Sequence, residues 1–538
     1  MRSESSISIR LFSATTTAVF AAIVLLPLAY AVVVSLKPND AYSLSAYTTL
    51  FTTARQWRLL GNSIAVGMGT ALVATLLGAV AGLGLEYIRV PSRSILIFSL
   101  AIPFLIPDYI SAMAWVDLLG NNGFLREICA SWLGIAKILP DLYSIPGVIL
   151  VQSMTLFPIA ALTTGLAAHR LDARFEEAAL LVHGRWSTFF AVTLPLLTPG
   201  MLTGALCVFV LSVTSFAVPS LFQVEVYPVE IYARFSAFYD FAGAVVQSLP
   251  LTLAGILVFV LWARYLHPKR EWLKGWRRHS SASCQGRKTK LAATAFCWCL
   301  VTVSAGLPLA TIVWRSFPLS TYISAWRTAR GEILNSVILA SLSASILLVL
   351  SFSMACLARE KRTRSWLYRL SLLPFLVSGP VFGIGLILAW NHSGMRAIVY
   401  DSLAVLLFAC VGRFLLFTYF GLSANLAEVH PSLEEVAAVS GVPWIKRVTG
   451  LLIPLTRPTL VAVWGIGFVL CLGEIDASVL VCPPGFSTVS VRLYTLMHYG
   501  PSSTVAALSV ITVALVLTMA AVTAGGYLKM RKAFHERR

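Results

Sequence analysis

Long uninterrupted apolar runs dominate the chain and predict its elements. Each run exceeds the roughly 20 residues that a helix needs to cross about 30 Å of hydrocarbon. None alternates over about ten residues as a barrel strand would, so the pattern predicts helices. Twelve such segments are predicted, at 11–36, 61–86, 94–119, 146–168, 198–222, 243–266, 291–314, 333–358, 370–390, 402–424, 458–482 and 503–527.

Composition supports a membrane solvent for most of the 538 residues. Hydrophobic residues make up 58% and charged residues 12% of the chain, with a mean hydropathy of +0.81. Ordinary globular proteins carry about a quarter charged residues. These values exclude soluble, disordered and nucleic-acid-binding classes, and the nine cysteines, mostly inside apolar runs, form no disulfide framework. The sequence predicts an all-α polytopic protein in contact with membrane lipid.

Positive charge predicts the orientation of these spans. With both termini cytoplasmic, most of the 41 lysine and arginine residues fall on the inner side, in agreement with the positive-inside rule. A basic stretch over 267–290 then becomes a cytoplasmic linker. Lipid contact explains its charge better than a nucleic-acid or regulatory patch does.

The linker divides the chain into two similar parts. We expect a first six-span repeat over 1–266, the linker over 267–290 and a second six-span repeat over 291–538. Asn62-Ser63 begins span two and Asn335-Ser336 begins span eight. Six spans return the chain to the same side, so the repeat is parallel, with its axis along the membrane normal and the substrate path on that axis.

Two cytoplasmic loops between the fourth and fifth spans of each repeat share a pattern. In the second loop, Ser432 is predicted as the N-cap of a short helix, with Glu435 in the capping-box position. Gly441 should end this helix in a left-handed turn. An acidic start and a flat alanine surface fit a protein groove better than a lipid surface. The candidate coupling residues are Glu176, Glu177, Ala178, Ala179, Gly184 and Pro195, and Glu434, Glu435, Ala437, Ala438, Gly441 and Pro454.

These loops resemble the cytoplasmic signature of permease subunits of ATP-binding-cassette importers. The fused length resembles the ferric-iron, thiamine and aminophosphonate group of permeases. The resemblance implies an inner-membrane protein whose loops dock on a separate cytoplasmic ATPase, in two copies, and a periplasmic substrate-binding protein. In the first loop two alignments remain open. Either Glu176 takes the glutamate position with Val182 at the glycine position, or Glu177-Ala178-Ala179 aligns with one residue missing.

No nucleotide-binding motif accompanies these loops, so the chain is predicted to be a translocation subunit and not an enzyme, with no cofactor. A different class, a secondary transporter driven by an ion gradient, would leave the two acidic loops without a role. The resemblance favours iron(III) as substrate. Thiamine, 2-aminoethylphosphonate and polyamines are the alternatives.

Charged side chains inside the spans are costly and therefore candidates for the path. Asp108, Arg413, Glu474 and Asp476 are predicted to line it or to pair with one another, for example Arg413 with Glu474. Glu474 and Asp476 are expected on one helix, facing different ways. Asp108 lies near two prolines that predict a bend in span three. No metal site is predicted, because Cys297 and Cys299 would point apart on a helix.

Overall fold

The protein is predominantly helical over the residues that its computed structural model describes, which are 2–37, 42–43, 45–88, 90, 93–133, 140–265, 287–359 and 370–536. Most of the basic linker lies outside these residues. Ten described helical stretches are long and apolar enough to cross a membrane, and a bent pair would make an eleventh. The all-α polytopic class is therefore confirmed. The ninth predicted span contains a shorter apolar helix, Gly379–Trp390.

The helices that account for the predicted spans have the following bounds. In the first repeat they are Arg2–Phe20 with Leu26–Ser35, Ala54–Leu83, Arg93–Leu105 with Asp108–Leu119, Ile145–His169, Leu194–Thr214 and Phe241–Tyr265. In the second they are Arg287–Val301 with Leu307–Arg315, Ser320–Leu357, Leu373–Leu376 with Gly379–Trp390, Leu403–Glu428, Ile453–Leu472 and Ser502–Glu536. Spans two and eight begin earlier than predicted, at Ala54 and Ser320.

Short helices connect these spans. They are Ser45–Thr52, Phe124–Ile128, Ala173–Leu180, Arg185–Thr188, Ala217–Leu221, Tyr227–Phe238, Pro431–Val439, Trp444–Arg447, Ser478–Val481 and Val489–Tyr499. We call Ala173–Leu180 and Pro431–Val439 the loop helices. Tyr227–Phe238 and Val489–Tyr499 are called the outer helices, after the predicted orientation.

Proline explains a recurring wide turn. Four of the seven π-helical turns in the described residues are followed by a helix with proline at its second position. Proline has no N–H and its ring crowds the carbonyl one turn earlier, so the ladder loosens to a π turn there. These turns are Ala21–Leu25, Phe189–Thr193, Thr302–Gly306 and Val448–Leu452.

The described helices form two compact units. The first-repeat unit contains residues 49–230 and 247–317, and the second-repeat unit contains 1–48, 231–246 and 318–538. Span one thus belongs to the unit built mainly from the second repeat, and span seven to the unit built mainly from the first. The compact units depart from the sequence repeats at these spans.

Helix contacts hold span one in the second-repeat unit and span seven in the first-repeat unit. In the second-repeat unit, Leu26–Ser35 packs on Gly379–Trp390, and a Cβ on Gly385 would lie 2.7 Å from the Pro27 carbonyl oxygen. In the first-repeat unit, Leu307–Arg315 packs on Asp108–Leu119. There Arg315 Nη1 lies 3.1 Å from Asp117 Oδ1, and its Nη2 donates to the Asn122 carbonyl at 2.9 Å.

Each unit has a core of three mutually packed spans. Spans two, four and five pack together in the first-repeat unit, as spans eight, ten and eleven do in the second-repeat unit. Glycine permits the closest approach between spans two and four. A Cβ would lie 2.6 Å from the Phe157 carbonyl oxygen at Gly78 and 2.4 Å from that of Ala161 at Gly82. Small residues allow membrane helices to pack backbone against backbone.

Candidate coupling and translocation sites

The second loop helix, Pro431–Val439, ends as its sequence predicts. Gly441 has φ of +79°, and the N–H groups of Gly441 and Val442 donate to the carbonyls of Ala438 (3.1 Å) and Ala437 (3.0 Å). These are the two bonds of a Schellman motif, which needs a left-handed residue at this position.

The predicted N-cap of the same helix is wrong. His430 caps the helix, with Nδ1 accepting from the Ser432 N–H at 3.3 Å, because Pro431 starts the helix one residue before Ser432.

The first loop helix, Ala173–Leu180, is capped by Asp172, whose Oδ1 accepts from the Arg174 N–H at 3.0 Å. Its C-terminus lacks the Schellman pair, since the N–H groups of Val182 and His183 both donate to the Ala179 carbonyl. Valine is β-branched and is strongly disfavoured at positive φ, which accounts for the different ending.

The bounds of the elements relate the two loops. Adding 259 carries Leu180 to Val439, Arg185 to Trp444 and Leu194 to Ile453, the ends or starts of matching helices. The structural register thus selects the alignment that pairs Glu176 with Glu435. Gly184, with φ of −67°, is extended and has no need of glycine.

Both loops expose large apolar side chains. In the first, Leu181 is 88%, Val182 79% and Trp186 77% exposed, and in the second, Val439 is 90% and Val436 66% exposed. These exposed apolar groups lie on the loops and are available to a partner surface. The acidic candidates are also accessible, with Glu177 and Glu435 exposed and Glu176 and Glu434 half-buried, and Pro195 and Pro454 start the following spans.

Arg359 attaches the second loop helix to the C-terminal end of span eight, a contact that sequence reasoning missed. Its Nε lies 2.8 Å from Glu434 Oε1, and its Nη atoms donate to the carbonyls of Leu426 and Val429 (3.2 Å for Val429). A guanidinium can satisfy several acceptors at once. The only signal in sequence is that Arg359 is the first basic residue after an apolar span.

In the first-repeat unit, Glu86 is located just after the C-terminal end of span two. It accepts from Arg93 and lies 3.1 Å from Nδ1 of His169, at the end of span four. The two repeats therefore use opposite charges to hold the same end of the long helix.

The intramembrane charges of the second-repeat unit lie together. Arg413 Nη2 donates to Asp476 Oδ2 at 2.7 Å, and Arg413 Nε lies 4.0 Å from Glu474 Oε1. The closer partner is thus Asp476, whereas Glu474 is the partner suggested by sequence. All three side chains are largely buried, with exposures of 15% for Arg413, 13% for Asp476 and 1% for Glu474.

Glu474 instead caps a short helix. Its two oxygens accept from the backbone N–H groups of Ala477 at 2.8 Å and Ser478 at 3.0 Å, and the Ser478 hydroxyl donates to it as well. The expectation that Glu474 and Asp476 share a helix is wrong, because the helix ends at Leu472 and restarts at Ser478. A carboxylate at a helix N-terminus is stabilised by the unpaired N–H groups there.

Broken spans surround these charges. Span nine is interrupted at Val377 and Ser378, and a Cβ on Gly379 would lie 2.3 Å from Asp476 Cβ and 3.1 Å from Arg413 Nη1. Glycine is therefore required for this close approach.

In the first-repeat unit, span three bends by 92° between Leu105 and Asp108, so the predicted bend is confirmed. Asp108 is the first residue of the second half of that span.

The first-repeat unit also contains buried hydrogen bonds between uncharged polar side chains. Gln152 Oε1 accepts from the Ser212 hydroxyl and from Thr70 Oγ1 at 3.4 Å, and Ser111 and Thr155 bond each other at 3.4 Å. Sequence reasoning did not single out these residues, since serine, threonine and glutamine are common in spans. Across the described ranges no three His, Cys, Asp or Glu side chains are grouped so as to hold a metal ion.

Two packed helical units, each with interrupted spans, buried polar side chains and a connecting loop helix, are the features of a polytopic transport protein. Residues 74–272 and 347–525 each match the family described as binding-protein-dependent transport system inner membrane component. These matches cover more than half of the chain, which therefore belongs to this family of multi-pass inner-membrane permeases and carries its domain twice.

Named relatives transport different substrates. The chain is 27% identical to a Salmonella paratyphi A protein provisionally named 2-aminoethylphosphonate transport system permease protein PhnV, over 43% of this chain and 92% of the relative. It is 22% identical to the ferric transport system permease protein FbpB of Actinobacillus pleuropneumoniae, over 79% of this chain and 64% of the relative. It is 31% identical to the molybdenum transport system permease protein ModB of Escherichia coli, over 23% of this chain and 54% of the relative.

Proposed function

We propose that this chain is the complete translocation pair of an ATP-driven importer, with both six-span repeats fused and both termini cytoplasmic. The observation that carries the proposal is the pair of loop helices, which end in the same structural register and expose large apolar side chains. Each loop helix docks on one copy of a separate cytoplasmic ATPase. ATP-driven closure of the two copies moves the loops and switches the permease between inward-open and outward-open states.

Co-purification tests the coupling role. A tagged wild-type chain should bring down a soluble ATPase, and Glu435→Arg should reduce that association at least tenfold by reversing an exposed charge on the second loop helix. Glu127→Arg is a matched control, because Glu127 is also exposed but lies between spans three and four. Equal recovery of the ATPase with both variants would contradict the docking role.

The energy source separates the importer from a secondary transporter. Uptake by the importer should stop when ATP is depleted, even if an ion gradient is maintained. Uptake that survives ATP depletion and collapses with a proton uncoupler would refute the ATPase mechanism.

Iron(III) is the proposed substrate, delivered by a periplasmic binding protein. Support comes from the ferric relative FbpB, which aligns over 79% of this chain, more than the other relatives named above. Thiamine, 2-aminoethylphosphonate and polyamines remain the competing substrates. Ligand binding by a substrate-binding protein that associates with this permease tests the choice, and radiolabelled iron uptake that an excess of the other ligands leaves unchanged would support iron.

The substrate path is proposed to pass the interrupted spans, with Arg413, Glu474 and Asp476 in the second repeat and Asp108 in the first. Broken helices often form transporter sites, because their free backbone groups can bind a substrate. Arg413→Lys should lower uptake more than it lowers ATPase association. Unchanged uptake would remove Arg413 from the path.

A further inference from the structure

Two dipeptides join the long helices of spans two and eight to the segments that precede the outer helices. In the first-repeat unit, Asn62 Nδ2 donates to the Glu225 carbonyl at 2.9 Å, and Ser63 Oγ accepts from the Tyr227 N–H at 3.0 Å. One side chain thus binds a carbonyl and the next binds an N–H two residues further on.

The second-repeat unit contains the same arrangement. Asn335 Nδ2 donates to the Ser487 carbonyl at 3.2 Å, and Ser336 Oγ accepts from the Val489 N–H at 2.7 Å. We call the two arrangements the Asn-Ser clamps. Both serines are buried, at 2% and 3% exposure. Such buried bonds are costly to break, because a backbone N–H would be left without a partner.

Each clamp binds the first residue of an outer helix. Tyr227 and Val489 begin Tyr227–Phe238 and Val489–Tyr499, and the N–H at this position has no acceptor within its own helix. The serine hydroxyl supplies that acceptor. Next to the first clamp, the Tyr227 hydroxyl also donates to the Gln56 carbonyl at 3.2 Å. Burial, together with Glu230, raises the pKa of Tyr227 to about 12.

An ion pair accompanies each clamp, with the charges reversed. Arg55 on the long helix lies 2.9 Å from Glu230 on the outer helix, whereas Glu332 on the long helix lies 3.8 Å from Arg492 on the outer helix. The two repeats thus share the attachment of outer helix to long helix, whichever helix carries the cation.

The inner ends of the same long helices are attached as well. In the second-repeat unit, Ser320–Leu357 is one unbroken helix, and Arg359 directly after it binds Glu434 of the loop helix. A helix of this length spans about 57 Å at 1.5 Å per residue. A continuous set of contacts therefore runs from the loop helix through span eight to the outer helix of the same unit.

We propose that Asn62-Ser63 and Asn335-Ser336 are positioning residues that hold the first turn of each outer helix to span two or span eight, so that in the second-repeat unit movement of the loop helix reaches the outer helix Val489–Tyr499. This inference rests on the proposed function, in which the loop helices receive the ATP-driven movement. The clamps transmit that movement and do not contact substrate.

Substitution of the clamp serines by valine or threonine isolates the hydroxyl, because these two side chains have nearly the same shape. In the purified full chain, Ser336→Val should increase amide hydrogen exchange in the first turn of Val489–Tyr499 by about fivefold or more, as expected for a lost buried hydrogen bond. Ser336→Thr should leave exchange within about twofold of wild type. Equal exchange in the two variants would overturn the clamp.

Transport distinguishes transmission from simple stabilisation. In cells or vesicles containing the partner ATPase and the binding protein, Ser336→Val should retain ATPase association and ATP hydrolysis within about twofold of wild type and lose uptake at least about tenfold. Ser336→Thr should retain ATPase association, ATP hydrolysis and uptake. If hydrolysis, association and uptake fall together in the valine variant alone, the role is structural and the proposal is wrong.

The proposed function fails in a different way. A wild-type chain that binds no ATPase would refute that function, whereas the exchange comparison would still decide whether the clamp holds the outer helix. Ser63→Val and Ser63→Thr repeat the comparison at Tyr227–Phe238. A proposal based on duplicated clamps requires the same ranking of variants at both sites.

Discussion

Replacing Asp476 by asparagine removes one carboxylate from the Arg413 site and preserves its volume. Arg413 then keeps only Glu474, 4.0 Å away, as its acidic partner in this cluster. Glu474 already accepts bonds from Ala477 and Ser478, so it cannot move to take the place of Asp476 without exposing the start of a helix. Arg413→Met is the complementary change, since it leaves both carboxylates without the cation.

The distances set the order of the effects. With an effective dielectric constant of about 20, unit charges attract by about 6 kcal/mol at the Arg413–Asp476 distance and about 4 kcal/mol at the Arg413–Glu474 distance. Breaking a buried ion pair usually costs about 3–5 kcal/mol. We expect about 2–3 kcal/mol for Asp476→Asn, because Glu474 still neutralises the guanidinium, and about 5 kcal/mol for Arg413→Met.

Equilibrium unfolding of the purified chain in mild detergent measures both costs, and a double-mutant cycle with Arg413→Met and Asp476→Leu measures their coupling. The double variant should be less destabilised than the sum of the single variants, because it removes the pair as a unit. Additive costs, or a larger cost for Asp476→Asn than for Arg413→Met, would refute the assignment of Asp476 as the principal partner.

Three further changes test other contacts. Gly441→Val should destabilise the second loop helix by roughly 1–3 kcal/mol, owing to its φ of +79°, and reduce ATPase co-purification, whereas Val182→Gly should leave co-purification nearly unchanged. Asp117→Asn should lower the thermal stability in detergent. If the 3.1 Å pair holds span seven to span three, the double variant Asp117→Arg with Arg315→Asp should recover part of the lost stability. Arg359→Ala should speed amide exchange in Pro431–Val439 about 30-fold, equivalent to about 2 kcal/mol, and unchanged exchange would exclude the attachment.

Local sequence patterns were sufficient for the end of the second loop helix and for the bend in span three. Gly441 could be placed in a left-handed turn because few other residues adopt that conformation, and Pro103 and Pro107 locate the break in span three. The N-cap was less certain in principle, since both His430 and Ser432 carry an acceptor beside Pro431. The helix starts at Pro431, so His430, the residue before it, is the N-cap.

Long-range partners could not be predicted in the same way. Arg413 was placed with Glu474 because both lie in apolar runs, but the interruption after Leu472 brings Asp476 closer. Nothing in the local pattern of span one indicates that it packs on Gly379–Trp390. Hydrophobic periodicity describes which residues avoid water, and every span satisfies that requirement in lipid equally well.

The packing of span one also bears on the order of assembly during synthesis. Leu26–Ser35 leaves the ribosome about 350 residues before Gly379–Trp390, the helix that it contacts. At roughly 5–20 residues per second, the first helix waits on the order of half a minute in the bilayer before its neighbour exists. A nascent chain stalled in the linker would therefore hold an orphan helix, open to capture by membrane chaperones or proteases.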